Sequence, residues 1–275
     1  MLRPALLFLA ALAAPAAAAS PPPLAPGFTT TQSSSRQANG GRVAEWTLKR
    51  DRRDDGAIRL VMAIVPRNAA RVEVRPVLKE GPAGPTYRSG PCQDALAVVN
   101  GSFFYQDAAG YRPMGLVRVD GRTVQGPSPR TSGGFLTSDG RTVRIVPKAT
   151  PAPAQAARFA VESAPILIQE GRNGMRSDDR QRHDRVAVGI TEDGDLIAVG
   201  AFGPSQATVS LWEFEKLARA AALRQGERID DLIALDGGPS AHLYLPGGPG
   251  REGVLHGWKG RIYTPNVVCI GARPR

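Results

Sequence analysis

The sequence predicts an α+β fold, with a mixed, largely antiparallel β-sheet core, a few flanking helices and one βαβ-like unit around a helix at 210–225. Three observations carry this expectation. Short β-branched and aliphatic runs recur along the chain, bounded by Gly, Pro, Asn and Asp. Asp120-Gly121, Asp139-Gly140 and Asp193-Gly194 each lie between two such runs, which is the signal of a hairpin turn. One segment alone carries a clear helical pattern: Ser210 and Glu213 form a capping box, and Leu211, Phe214, Leu217, Ala218, Ala221 and Ala222 then share one face before Gly226.

Taken in order, the chain opens on Arg3, an apolar run from Pro4 to Ala14, and Ala17-Ala18-Ala19 before Ser20. This predicts a signal peptide over 1–19, too short to cross a bilayer, and export to the periplasm or beyond. Residues 20–41 are rich in Pro, Ser, Thr and Gly and are expected to be a flexible leader, leaving 42–275 as a single domain. No later window is apolar enough to span a membrane.

Strands are expected at Val43–Leu48, Ile58–Val65 and Val72–Leu78, then a Gly/Pro loop over 81–90 and a buried strand ending at Asn100. Tyr105–Tyr111 reads as a polar loop. The three Asp-Gly hairpins follow, with a Pro/Ala linker over 147–157, a strand pair over 159–169 and a charged loop over 171–184 between the second and third. The strand from Leu196, the helix and a strand at Leu232–Leu235 form the expected βαβ unit. Strands at His242–Leu245 and Asn266–Ile270 close the chain.

The formal charge is +10, and +9 once Arg3 leaves with the signal. The excess is mostly arginine, spread along the chain, and favours anionic partners. For an exported protein these are phosphate-bearing glycans or envelope polymers rather than nucleic acid; the competing explanation is a generally basic surface without a specific partner. Cys92 and Cys269 are the only cysteines, and they form either one disulfide or two separate buried thiols.

Two stretches share a grammar. Leu96–Val99 runs into Asn100-Gly101-Ser102, and Leu232–Leu235 runs into Asp236-Gly237-Gly238-Pro239-Ser240. Each is a buried strand entering a polar, glycine-rich turn whose N–H groups are suited to an anion. The plainer alternative is a pair of tight turns in which Asp236 caps its own backbone. Arg185 opens the strand Val186–Ile190 among Asp178, Asp179, Arg180, Arg182, His183 and Asp184. Its fork suits a phosphodiester oxygen, although the surroundings also fit a solvated charged loop. Asp236, Ser240 and His242 invite a serine-hydrolase reading, weakened by their close spacing and the lack of G-x-S-x-G. His183, His242 and His256 have no zinc-ligand spacing, and no metal or cofactor is expected.

Five motifs then occur in order: Asn100-Gly101-Ser102-Phe103-Phe104, Arg112-Pro113-Met114-Gly115-Leu116 with Asp120-Gly121, Ser163-Ala164-Pro165-Ile166-Leu167, Arg185-Val186-Ala187-Val188-Gly189, and Leu235-Asp236-Gly237-Gly238-Pro239-Ser240-Ala241. Together they resemble the phosphodiester glycosidase family, from about Val72 to Ile270. Ser102 and Pro239 each stand where the family often has glycine. The resemblance implies that Asn100, Arg185, Asp236, Gly237, Gly238 and Ser240 line one site. Arg185 and the N–H groups of both turns, Gly101 and Ser102 included, would then hold a phosphate. Cleavage at the sugar C1 makes an oxocarbenium-like centre that glycosidases meet with carboxylates. Asp236 is the expected carboxylate; Glu162, Asp184 and Glu170 are candidates for a second, with Glu162 preferred. His242 or His183 is the expected acid or base, with His242 preferred. The implied function is an exported hydrolase cleaving the sugar–phosphate bond of a phosphodiester-linked glycan. The alternatives are a non-catalytic envelope protein that binds anionic phosphorylated glycans and, less favoured, a serine esterase acting through Ser240.

Overall fold

Runs with a period of two give strands two faces, and here several central strands, such as Ala95–Asn100 and Leu196–Phe202, bury both. The protein is described from a computed structural model covering residues 23–272, except 39, 53–55, 77–91, 93–94, 109, 206–207, 248–251 and 258–263. The expected signal peptide over 1–19 and the loop over 81–90 lie outside the described residues. In chain order the strands are β1 (Phe28–Ala38), β2 (Gly41–Arg50), β3 (Ile58–Val65), β4 (Ala70–Pro76), β5 (Ala95–Asn100), β6 (Phe104–Asp107), β7 (Gly110–Pro113), β8 (Val117–Val119), β9 (Arg122–Gln125), β10 (Gly134–Ser138) and β11 (Val143–Pro147). A short helix α1 (Ala152–Ala156) leads to β12 (Phe159–Ser163), β13 (Ile166–Gln169), β14 (Arg172–Asn173), β15 (Arg185–Thr191) and β16 (Leu196–Phe202). Helix α2 (Leu211–Arg224) precedes β17 (Ile229–Ala234), β18 (His242–Leu245), β19 (Val254–Gly257) and β20 (Asn266–Ala272).

Among the described residues these strands form an eight-stranded sheet ordered β1-β2-β3-β16-β15-β17-β13-β14 and two five-stranded sheets, β11-β10-β12-β8-β9 and β19-β18-β5-β20-β4. A two-stranded sheet, β6-β7, stands apart from them. Alternation assigns the faces. Val61, Val186, Val188, Ala198 and Ile233 on the large sheet join Val99, Leu243 and Val268 of one small sheet and Leu136 and Val161 of the other in one core. The intervening Leu60, Met62, Ala187, Val199 and Leu232 face the opposite way and pack under Phe214, Leu217 and Ala221 of α2. The helix begins where expected: Glu213 N donates to Ser210 Oγ at 3.2 Å, and Ser210 N donates to Glu213 Oε2 at 3.0 Å. Cys92 and Cys269 form a disulfide with a Cα–Cα distance of 5.6 Å, on the outer face of the β5–β20 sheet.

The fold is more strongly β than expected, and the strand pairings among the described residues are antiparallel. The βαβ unit is split: β16 and β17 both pair antiparallel with β15, so they run parallel with one strand between them. Residues 28–38, expected within the flexible leader, form β1 along β2. Their Ser/Thr-rich composition lacks an apolar stripe because an edge strand is held by backbone pairing and needs few buried side chains. The polar loop expected at Tyr105–Tyr111 is the β6–β7 hairpin, and the linker over 147–157 contains α1.

Candidate functional site

Antiparallel pairing places the end of each strand beside the start of its neighbour, and this gathers the site. β17 ends against the start of β15: Ala234 pairs with Ala187, and Leu235 N donates to Val186 O at 2.9 Å. β5 ends against the starts of β18 and β20, with Val99 opposite Leu243 and Asn100 opposite Val267. The two sheets meet at these ends. Asn100 Nδ2 donates to the main-chain oxygen of Asp236 at 2.7 Å, and His242 N donates to Asn100 Oδ1 at 3.0 Å. The two turns with a common grammar therefore touch, stitched by one asparagine.

That stitching uses up much of what the turns had to offer an anion. Gly101 N donates to Asn266 O at 3.0 Å and Ser102 N to Asn266 Oδ1 at 3.1 Å, while Asn266 Nδ2 donates to Ser102 Oγ at 2.8 Å. Gly238 N donates to Asp184 O at 2.9 Å and Asp236 N reaches Gly101 O at 3.4 Å. Asn100, Gly101 and Ser102 are buried. They hold the site's floor, so the expected two-turn nest is replaced by an internal clamp. A Cβ on Gly101 would collide with Asn266 Oδ1, which explains the glycine.

Groups that keep an open side come from the second turn and the start of β15. Asp236, Gly237, Ser240 and Arg185 are half-buried. Burial pushes the Asp236 carboxyl up from 3.8 to about 6, although hydrogen bonds from the Ser240 hydroxyl and Gly237 N–H favour the anion. Arg185 Nη2 donates to Gln181 O at 2.6 Å and Nε to Val209 O at 3.3 Å. Its remaining nitrogen, Nη1, lies 3.3 Å from where a Cβ on Gly237 would stand. The guanidinium is thus held by two carbonyls and directed at the turn. Burial pushes its pKa below the usual arginine value, opposed by the Asp179 carboxylate.

His183 is the exposed histidine at this site. Its backbone is fixed to Val209 by reciprocal hydrogen bonds of 3.1 and 3.2 Å, and its Nδ1 lies 3.9 Å from the position of a Cβ on Gly238. Gly238 has φ +63°, a conformation that glycine adopts without strain. Asp184, the next residue, is buried: its Oδ1 accepts from Gly203 N at 3.0 Å and from the Thr208 hydroxyl, and burial raises its pKa. It ties the Arg185 segment to the 203–209 loop.

Two preferred catalytic candidates are placed otherwise. His242 is fully buried, its Nδ1 is 2.8 Å from Ser240 O, and burial pushes its pKa down to about 4. It supports the turn from behind. Glu162 lies on β12, buried in a different sheet; its Oε2 accepts from Leu116 N at 2.9 Å and Ser128 N at 3.0 Å, and its Oε1 from Ser128 Oγ and Lys148 Nζ. Burial pushes the Glu162 pKa up, but the Lys148, Ser128 and Leu116 hydrogen bonds outweigh it and hold the group below the ordinary value. Glu170 is exposed on a turn, ion-paired to Arg172. Asn266 is a site-building residue that sequence reasoning passed over. Its signal is the same grammar reversed, an Asx residue at the start of a buried run.

Fold and site together define a β-rich domain with a half-buried carboxylate, an aimed arginine and a glycine turn at one meeting of strand ends. The chain belongs to the phosphodiester glycosidase family, whose sequence model matches residues 93–270. The catalytic domain of zebrafish N-acetylglucosamine-1-phosphodiester alpha-N-acetylglucosaminidase, solved in a form auto-inhibited by its pro-peptide, shares the fold. It is 17% identical at a TM-score of 0.53, with 88% of each chain covered. A hypothetical protein from Synechocystis is 15% identical at a TM-score of 0.52; the match covers 90% of this chain and 64% of that one. No curated protein matches the sequence.

Proposed function

We propose that the protein is an exported hydrolase that cleaves the bond between a sugar and a phosphate in a phosphodiester-linked glycan. The observation that carries the proposal is Asp236, a carboxyl held at about 6 beside the open turn that Arg185 faces. Arg185 neutralises the phosphate, which then leaves as a stable anion and needs little protonation. The Asp236 carboxylate stabilises positive charge developing at the sugar C1. His183, the histidine open to solvent there, takes the proton of the attacking water in place of buried His242. The N-terminal run over 1–19 and the Cys92–Cys269 disulfide support an oxidising, exported location.

The test is release of reducing sugar from UDP-N-acetylglucosamine and from synthetic sugar-1-phosphodiesters differing in sugar and anomer. Wild type should release sugar, with kcat/KM falling as pH drops through about 6, where Asp236 becomes protonated. Asp236→Asn and Arg185→Ala should each lower kcat/KM by roughly 100-fold or more while remaining folded. Full activity in both variants would remove the site assignment. Salt-sensitive binding to phosphorylated glycans with no released sugar would favour a binding protein instead.

A further inference from the structure

We propose that the β6–β7 hairpin is a sugar-stacking platform that receives a neutral pyranose ring of the glycan whose phosphate faces Arg185. The inference rests on the function proposed above and adds where the carbohydrate lies.

The hairpin is a two-stranded sheet of its own, and such a pair is marginal without other support. It grows directly out of the site's floor, with Phe104 only four residues from Asn100 and therefore within about 15 Å of it along the chain. Its base is closed by Met114 N donating to Phe103 O at 2.7 Å. Phe103, Phe104, Tyr105 and Tyr111 bring four aromatic rings into this short stretch. The register puts Phe104, Gln106, Tyr111 and Pro113 on one face, where Phe104 and Tyr111 meet edge to face at 5.2 Å. Tyr105 occupies the other face with Asp107 and Arg112, whose ion pair measures 2.5 Å.

Apolar surface is left open here. Tyr105 is 44% exposed and Met114 37%, two of the five large hydrophobic side chains exposed among the described residues. The other three, Val124, Leu223 and Val254, are scattered single residues, which are ordinary on a protein surface. An exposed ring on the hairpin and an exposed thioether at its base form a surface suited to a ligand that is apolar on one side. A pyranose fits that description: its axial C–H groups make a flat apolar face, and its hydroxyls lie around the rim. The face covers the tyrosine ring, while hydroxyls reach the Asp107–Arg112 pair. Arg112 is already engaged by Asp107, so the hairpin offers less to a phosphate than the aimed Arg185 does.

The experiment uses neutral saccharides, which carry no phosphate and report on the platform alone. N,N′-diacetylchitobiose, mannobiose and maltotriose are titrated into the intact protein and followed by saturation-transfer NMR. At least one should bind wild type with an affinity in the millimolar range. Tyr105→Ala should weaken that binding by about fivefold, the value of one stacked ring, and Tyr105→Trp should restore it. Arg185→Ala should leave it unchanged. Equal binding by wild type and Tyr105→Ala, or no binding of any of these probes at concentrations on the order of 10 mM, overturns the platform. Tyr105-dependent sugar binding without hydrolysis would keep the platform and remove the catalytic proposal. Hydrolysis that needs Asp236 and Arg185 but shows the same KM in Tyr105→Ala would do the reverse.

Discussion

Asp236→Asn should make the protein more stable at neutral pH. The carboxyl titrates at about 6 in the fold, against 3.8 for an unperturbed aspartate, because burial disfavours the ion more than Ser240 and Gly237 favour it. A raised acid pKa means that the unfolded chain ionises first. As pH rises from about 4 to about 6, ionisation lowers the free energy of the unfolded state but not that of the folded one. The penalty is on the order of 3 kcal/mol at pH 7 and about 0.5 kcal/mol at pH 4. Asparagine keeps the shape, cannot ionise, and still offers an acceptor to Ser240. The variant should gain about 1–3 kcal/mol at pH 7, or roughly 3–10 °C in Tm for a domain of this size. Urea unfolding of wild type and variant at pH 7 and pH 4 measures both arms. The gap should nearly close at pH 4. A variant no more stable than wild type at pH 7, or one whose advantage is the same at both pH values, would refute the claim that Asp236 is held in an environment hostile to its charge.

Acid should act in the opposite direction through the buried histidines. His242 and His256 are pushed down to about 4, mainly by burial, and for His256 also by the positive charges of Arg59 and Arg36. Their contribution is full above the unfolded value near 6.5 and is lost as pH falls towards 4; replacing His256 with Gln should therefore remove about 2–3 kcal/mol of the stability lost between pH 7 and pH 4.5, as read from denaturant midpoints. Glu162→Gln leaves the Lys148 ammonium, 11% exposed, without its carboxylate, and should cost about 3–5 kcal/mol in urea unfolding. Replacing Cys92 and Cys269 with Ser frees a loop of 177 residues and should cost up to about 5 kcal/mol, with the activity of the folded fraction retained; loss of activity without loss of stability would contradict a scaffold role.

What could be read from the chain follows the range of the interaction that fixes each feature. Helix α2 was legible because its cap and apolar face lie within a few residues of one another. The Asp-Gly hairpins at 120, 139 and 193 were legible for the same reason. β1 was hidden, since its partner is the backbone of β2 and its serines and threonines carry no pattern. The split of the βαβ unit was hidden too, because strand order is set by β15 pairing on both sides, and no local signal encodes that choice. At the candidate site, the sequence showed which turns carry polar groups but not which of those groups are exposed. Asn100 and His242 look as functional as Asp236 in a string of letters. Only the meeting of two sheets shows that the first two face inward and bond each other, while Asp236 and Arg185 keep an open side.

The two departures from the family's usual glycines can now be separated by the same criterion. Ser102 is fully buried, and its hydroxyl accepts from Asn266 Nδ2 at 2.8 Å. It completes the clamp beneath the site and is closed off from the surface, so its consequence is confined to how firmly the floor is held. Pro239 is exposed, between buried Gly238 and half-buried Ser240, on the one-turn 3₁₀ segment that follows Asp236. A proline there fixes its own φ and leaves the exposed turn with one N–H donor fewer than a glycine would give it. Under the proposed function, Pro239→Gly is therefore expected to change sugar or aglycone preference in the reducing-sugar assay, while Ser102→Gly, beneath the floor, is expected to change stability alone.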